Sequence, residues 1–154
     1  MSQINVNTIA NASGTSAVTI DSSGRITNST PVYAQGSHNV DNSGTVTFTT
    51  RMITSGGCTF EDSNTAMKVP VDGLYMIHFD CLGDTGSGNL QISAKKNGTT
   101  IGSSFTQDTD SGNDGVSKTI LSVLQADDKI TFVINAGASH GNSQYNNFFV
   151  VKIG

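Results

Sequence analysis

From Gly73 to Asp80 the chain reads GLYMIHFD, and its side chains alternate strictly. Tyr75, Ile77 and Phe79 fall on one side, while Leu74, Met76, His78 and Asp80 fall on the other, the period-two signature of a β-strand. The first side is apolar throughout, as a core face must be. The second begins with two large apolar residues, Leu74 and Met76, before it turns polar. A strand with one wet face has no use for them. The pattern therefore predicts a sheet whose second face is itself covered.

The same punctuation recurs from Pro31 onward. Val32 to Ala34 reads as a short first strand. TVTFTTRM sets Val46, Phe48, Thr50 and Met52 against Thr45, Thr47, Thr49 and Arg51. Turn signals at SGG and EDSN precede a short strand through Met67 to Val69. LQISAKKNGTTIGSSF is a hairpin about Asn97-Gly98, the strongest short-range hairpin signal in the chain. SKTILSVL and KITFVINA are two more strands, joined by QADD, and NNFFVVKIG closes the chain, apolar on both faces from Phe148 to Val151. About nine or ten short strands at this spacing predict an all-β sandwich or barrel. No segment carries a helical apolar stripe.

Composition agrees. Only 13% of the 154 residues are charged, about half the ~25% of ordinary soluble domains. Ser, Thr and Asn, about a third of the chain, take the place of charge in strands and turns. The net charge is −4, and no basic cluster goes beyond Lys95-Lys96, which excludes a nucleic-acid partner. No apolar run approaches the roughly 18 residues of a membrane span. MSQINVNTIANAS lacks the basic and apolar regions of a secretory signal. Cys58 and Cys81 are expected as two buried thiols.

Residues 1 to 30 differ from the rest. INVNTI, SAVTI and GRITN are short β-prone runs, and AVTIDSSGRIT reads as a hairpin with Asp21 to Gly24 as its turn. The segment has no aromatic residue and too few aliphatics to offset its own ordering entropy. It is expected to be disordered or ordered against something else: an arm, with Ile4, Val6, Ile9, Val18, Ile20 and Ile26 as its docking residues.

Three elements in order now become specific. VPVDGLYMIHFD, then the KKNGTTI hairpin with LQADDKITFVI behind it, then a terminal FFVVKIG resemble the globular head of the C1q/TNF-like superfamily over residues 31–154. Two positions depart: Asp127 stands where that family usually has Gly, and the last strand lacks the family's Gly after its Phe. The resemblance implies a jelly-roll sandwich of about ten strands assembled as a homotrimer. Leu74 and Met76, with Phe148 and Val150 on the last strand, would then meet a neighbouring subunit. The arm has its own resemblance. I-x-V-x-x-I followed by SGTSAVTIDSSGRI is similar to N-terminal segments of bacteriophage virion proteins, especially tail-fibre and accessory structural proteins of marine and cyanobacterial phages.

Candidate chemistry is thin. His38, His78 and His140 lack ligand-like spacing, so no metal site is expected. DTDSGNDG, Asp108 to Gly115, gathers oxygen ligands that suit Ca²⁺, but Gly112 occupies a ligand position and no Glu closes the loop. Asp127 and Asp128 suit a strand-connecting turn. No nucleophile motif or catalytic constellation is present, so neither an enzyme nor a cofactor is expected. The leading expectation is a trimeric virion structural protein, a capsid decoration or head-fibre protein docked through its arm on a major capsid or tail protein. The alternative is a tail-fibre tip reading a host surface glycan through loops 83–89 and 106–116, with Phe105 as the nearest aromatic. A secreted bacterial adhesin or lectin is a third reading, disfavoured without a signal.

Overall fold

The computed structural model describes residues 8–10, 12–13, 16–28, 30–39, 43–84, 88–106 and 114–154. The chain falls into two units, Met1–Pro31 and Val32–Gly154.

The first unit is an antiparallel three-stranded sheet of β1 (Thr8–Ala10), β2 (Ser16–Ile20) and β3 (Ile26–Asn28). The expected hairpin is present, with Ile20 opposite Ile26. Asp21 builds its turn. Its carboxylate accepts from the Ser23 and Arg25 amides at 2.8 and 3.0 Å and pairs with the Arg25 guanidinium at 2.7 Å. Gly24 closes the turn at φ 76°. Such Asx geometry is why Asp opens tight turns.

The second unit is a two-sheet jelly-roll sandwich, nearly all β. Its strands are β4 (Tyr33–Ser37), β5 (Gly44–Thr45), β6 (Thr50–Ser55), β7 (Thr59–Glu61), β8 (Ala66–Lys68) and β9 (Gly73–Leu82). They continue as β10 (Leu90–Lys96), β11 (Thr99–Thr106), β12 (Gly115–Leu124), β13 (Lys129–Ala136) and β14 (Asn146–Lys152), after a 3₁₀ turn at Ser143–Tyr145. One sheet runs β11-β10-β13-β8-β7, with β5 also on β13; the other runs β12-β9-β14-β4-β6.

The core lies between these sheets. Tyr75, Ile77 and Phe79 enter it from β9, Phe148 and Val150 from β14, Ile92 from β10, and Ile130, Phe132 and Ile134 from β13. Rings interlock there: Phe132 stands 5.0 Å from Phe148 and 6.1 Å from Phe79, within the range of favourable edge and tilted pairs. Gly36 lets Phe48 lie on β4, because a Cβ there would come 2.8 Å from the Phe48 ring.

Two turns carry left-handed residues, one at the expected hairpin and one at the Asp127 departure. Asn97 and Gly98 take φ 48° and 85°, the left-handed pair of a two-residue hairpin. Asp127, in the place of the family's Gly, also adopts φ 68°, a conformation Asp tolerates better than most residues. Beside it, Asp128 accepts hydrogen bonds from the Gln125 amide (2.8 Å) and Asn97 Nδ2 (2.6 Å), and pairs with Lys96 at 2.8 Å. Burial pushes this carboxyl upward, but these donors outweigh it and hold it below its usual value.

One expected strand is split. TVTFTTRM does not run as a single ladder: β5 belongs to the six-stranded sheet and β6 to the five-stranded one. Between them Val46 and Phe48 cross the rim and are buried, their amides bonding Phe132 and Asn64 carbonyls. Arg51 at φ 52° resets the alternation, and Met52 ends up exposed rather than beside Phe48. Crossing between sheets needs a break in period two, which residue alternation alone does not reveal.

Candidate functional site

The outward face of the five-stranded sheet can be read row by row from its register. One row runs Leu121, Met76, Val151, Tyr33, Ser55; the next Thr119, His78, Phe149, Gln35, Ile53; the third Ser117, Asp80, Asn147, Ser37, Thr50. Val123 and Leu74 pair at the apolar end. The face thus grades from aliphatic and aromatic to hydroxyl, amide and carboxylate over a few residues. Leu121 and Val123 are 61% and 68% exposed. Across β9 from them, Tyr33, Gln35, Phe149 and Val151 line a shallow groove. An apolar stretch on this scale is uncommon on a sheet that stays wet.

The other sheet turns a different surface to solvent. Gln91 and Lys95 of β10, Ser103 of β11 and Thr131 of β13 stand on it, with Val133 and Phe105 as apolar members. Glu61 and Lys68 pair at 2.5 Å at its far edge, and Lys129 pairs with Asp62 at 2.9 Å. Hydrogen bonds from Lys68 and Lys129 hold the Glu61 carboxyl below its usual value. The five-stranded sheet therefore turns more large apolar side chains outward than the other sheet does.

Leu74 and Met76 lie on the apolar face as their alternation requires, Leu74 exposed and Met76 half-buried. Phe148 and Val150 do not. Both are 0% exposed, because Phe148 sits opposite Phe79 and Val150 opposite Ile77, on the core side of β14. Their neighbours Phe149 and Val151 take the outward positions. The run FFVV is apolar on both faces, so periodicity sets no phase for it, and only the register with β9 decides.

In the first unit, Ile9 is exposed on β1, and Val18 and Ile20 are half-buried on β2. Ile26 lies in β3. Ile4 and Val6 fall outside the described residues, as do most of the Asp108–Gly115 loop and the tips of loops 83–89 and 106–116.

A second cluster escaped the sequence. At the pole of the sandwich that holds Cys81 and Asn146, the buried Asn146 amide donates to the carbonyls of His38 (3.1 Å) and His140, and its Oδ1 accepts from the Cys81 thiol at 3.0 Å. Asn146 ties two connections, those of His38 and His140, to strand β9. Burial pushes the Cys81 thiol up to about 12 and the Cys58 thiol to about 11, so both stay protonated and unreactive. Nearby, the exposed Tyr145 ring stands edge-on to His140 at 5.1 Å. Among the described residues no group of three His, Cys, Asp or Glu could hold a metal. No helix there is long and apolar enough to cross a membrane.

None of the curated proteins matches the chain. The C1q domain model matches residues 31–150, nearly the whole second unit. Such domains typically form trimers, bind other molecules and are generally not enzymes. With its jelly-roll sheets and one bare apolar sheet face, the chain belongs to the C1q domain family.

Proposed function

We propose that this chain is a homotrimeric, non-enzymatic structural protein of a bacteriophage virion, a capsid decoration or head-fibre protein. The outward face of the five-stranded sheet is its subunit interface. A three-fold ring needs a heterologous contact, in which one patch meets a different one. This face offers both halves: the projecting Leu121 and Val123 on edge strand β12, and the groove of Tyr33, Gln35, Phe149 and Val151 on β4 and β14. The observation that carries the reading is the contrast between the two sheet faces. Covering one apolar face removes its penalty, while the polar face stays in water.

The first unit is the virion-attachment arm. Its likeness to phage N-terminal segments supports this, and its short sheet with the exposed Ile9 suits strand addition to a larger assembly. Sedimentation of the intact protein tests the assembly: three protomers are expected, and a 16 kDa species at micromolar concentration overturns it. Docking is tested by deleting residues 1–30 and counting copies on purified particles. Hundreds of wild-type copies and none of the truncated protein are expected, with truncated trimers intact. A truncated protein that still docks removes the arm from the account.

A tail-tip role in reading a host glycan is the second reading. Tyr145, 47% exposed with its ring steadied by His140, favours it, since a fixed exposed aromatic suits stacking on a sugar. A few to tens of copies per particle would select this reading over the first.

A further inference from the structure

The apolar face contains one imidazole, and its placement points to control of assembly. His78 is half-buried on β9, between Met76 on the apolar side and Asp80 on the polar side. Its ring stacks on Phe149 of β14 at 4.9 Å with 24° between the planes, and its Nδ1 lies 3.0 Å from Thr119 Oγ1 of β12. The ring is thus fixed from both neighbouring strands, flat in the surface that the trimer reading covers.

The charges around it are few. From β12 the same face presents Ser117, Thr119 and Leu121, and from β14 it presents Asn147, Phe149 and Val151, none of which titrates. Lys118 points the other way, donating to the Ser103 carbonyl at 2.8 Å. Beyond β14, β4 brings Tyr33 and Gln35. Among the described residues, the one charge on this face beside His78 is Asp80, which is exposed at the polar end, where water screens it. Among the described residues of its own subunit, an imidazolium at His78 has no buried anion to pair with.

We infer that His78 makes the trimer acid-sensitive: protonation of the three His78 side chains loosens the interface. The inference rests on the assembly reading above. A neutral ring can be covered along with Phe149 at little cost, whereas a covered imidazolium is stripped of water without compensation. The sign follows: covering the face favours the neutral rings, so assembly weakens as falling pH protonates them. A tenfold penalty on protonation at each of three sites multiplies to about a thousandfold loss in the trimer association constant.

The test is sedimentation velocity of the full chain and of His78→Gln at about pH 8 and pH 5.5, with circular dichroism to confirm folding. The expected result is a wild type that is trimeric at the higher pH and dissociates at the lower. His78→Gln, neutral throughout, should remain trimeric at both. A wild type equally trimeric at both values overturns the inference and leaves the assembly reading standing. Dissociation of both proteins in acid also overturns it, by assigning the effect to another group. A wild type that is monomeric at pH 8 overturns the assembly reading and this inference with it.

Discussion

Asn97 and Asp128 hold two turns together. Asn97 Nδ2 donates to the Asp128 carboxylate at 2.6 Å, and Asn97 Oδ1 accepts from the Lys129 amide at 2.9 Å. The β10–β11 hairpin and the β12–β13 connection are fastened through one amide and one carboxylate. Asp128→Ala leaves the Gln125 amide and Asn97 Nδ2 without their acceptor and Lys96 without its carboxylate, and is expected to cost about 2–3 kcal/mol. Because its partners depress the Asp128 carboxyl, its contribution is complete above the ordinary value near ~3.9 and drains away as pH falls through the folded one. Thermal melts from about pH 6 to pH 3 should fall more steeply for wild type than for Asp128→Asn.

Phe148 and Phe149 are adjacent and opposed in role. Phe148→Ala opens a cavity among Phe48, Phe79 and Phe132 and is expected to cost about 3–5 kcal/mol in chemical denaturation. Phe149→Ser should cost the protomer less than ~1 kcal/mol, since its ring lies on the outward face, yet weaken assembly measured by sedimentation. Equal losses of protomer stability from both changes would contradict the register described above.

Gly36→Ala sets a methyl against the Phe48 ring. With 2.8 Å available at that point, the ring must shift, and a loss of about 1–3 kcal/mol is expected. Denaturant midpoints of the two proteins check this.

Asp127 tests backbone conformation, since its exposed carboxylate makes only a long 3.6 Å pair with Lys68. At φ 68° a glycine is at home but adds freedom to the unfolded chain, so Asp127→Gly should lie within about 0.5 kcal/mol of wild type. Asp127→Val, β-branched and unable to adopt this conformation cheaply, should cost about 1–2 kcal/mol.

Cys58 and Cys81, both buried and held protonated, should resist a thiol reagent at about pH 8 in the native protein. Both should react within minutes after denaturation. Rapid native labelling of either would show that its side of the core opens readily.

Much of the sandwich was legible because its signals are local. The Asn97-Gly98 hairpin, the Asp21 turn and the alternation of β9 each follow from a few adjacent residues. What could not be read depended on partners far along the chain. FFVV gives no phase of its own, so Phe148 and Val150 were placed outward when register with β9 turns them inward. The switch of residues 44–55 between sheets takes place over Val46 to Thr49, and Arg51, which carries no turn signature, resets the alternation inside β6. Asn146 sits in a strand pattern like any other amide, and only the convergence of two loops and β9 on it makes it a fastening. The apolar face itself was half visible, through Leu74 and Met76. Leu121 and Val123 belong to it only once β12 is known to lie beside β9.

The free margins of the two sheets are laced to each other. Lys96, rooted in β10, donates to the Val123 carbonyl of β12 at 3.2 Å, and Lys118, rooted in β12, donates to the Ser103 carbonyl of β11. Each lysine occupies a main-chain acceptor that a stray strand from another molecule could otherwise capture, and places a cation where that strand would have to lie. At this rim, edge-to-edge pairing with a strand of another molecule is therefore disfavoured, and a fibril would have to start from the opposite margins, β6 and β7.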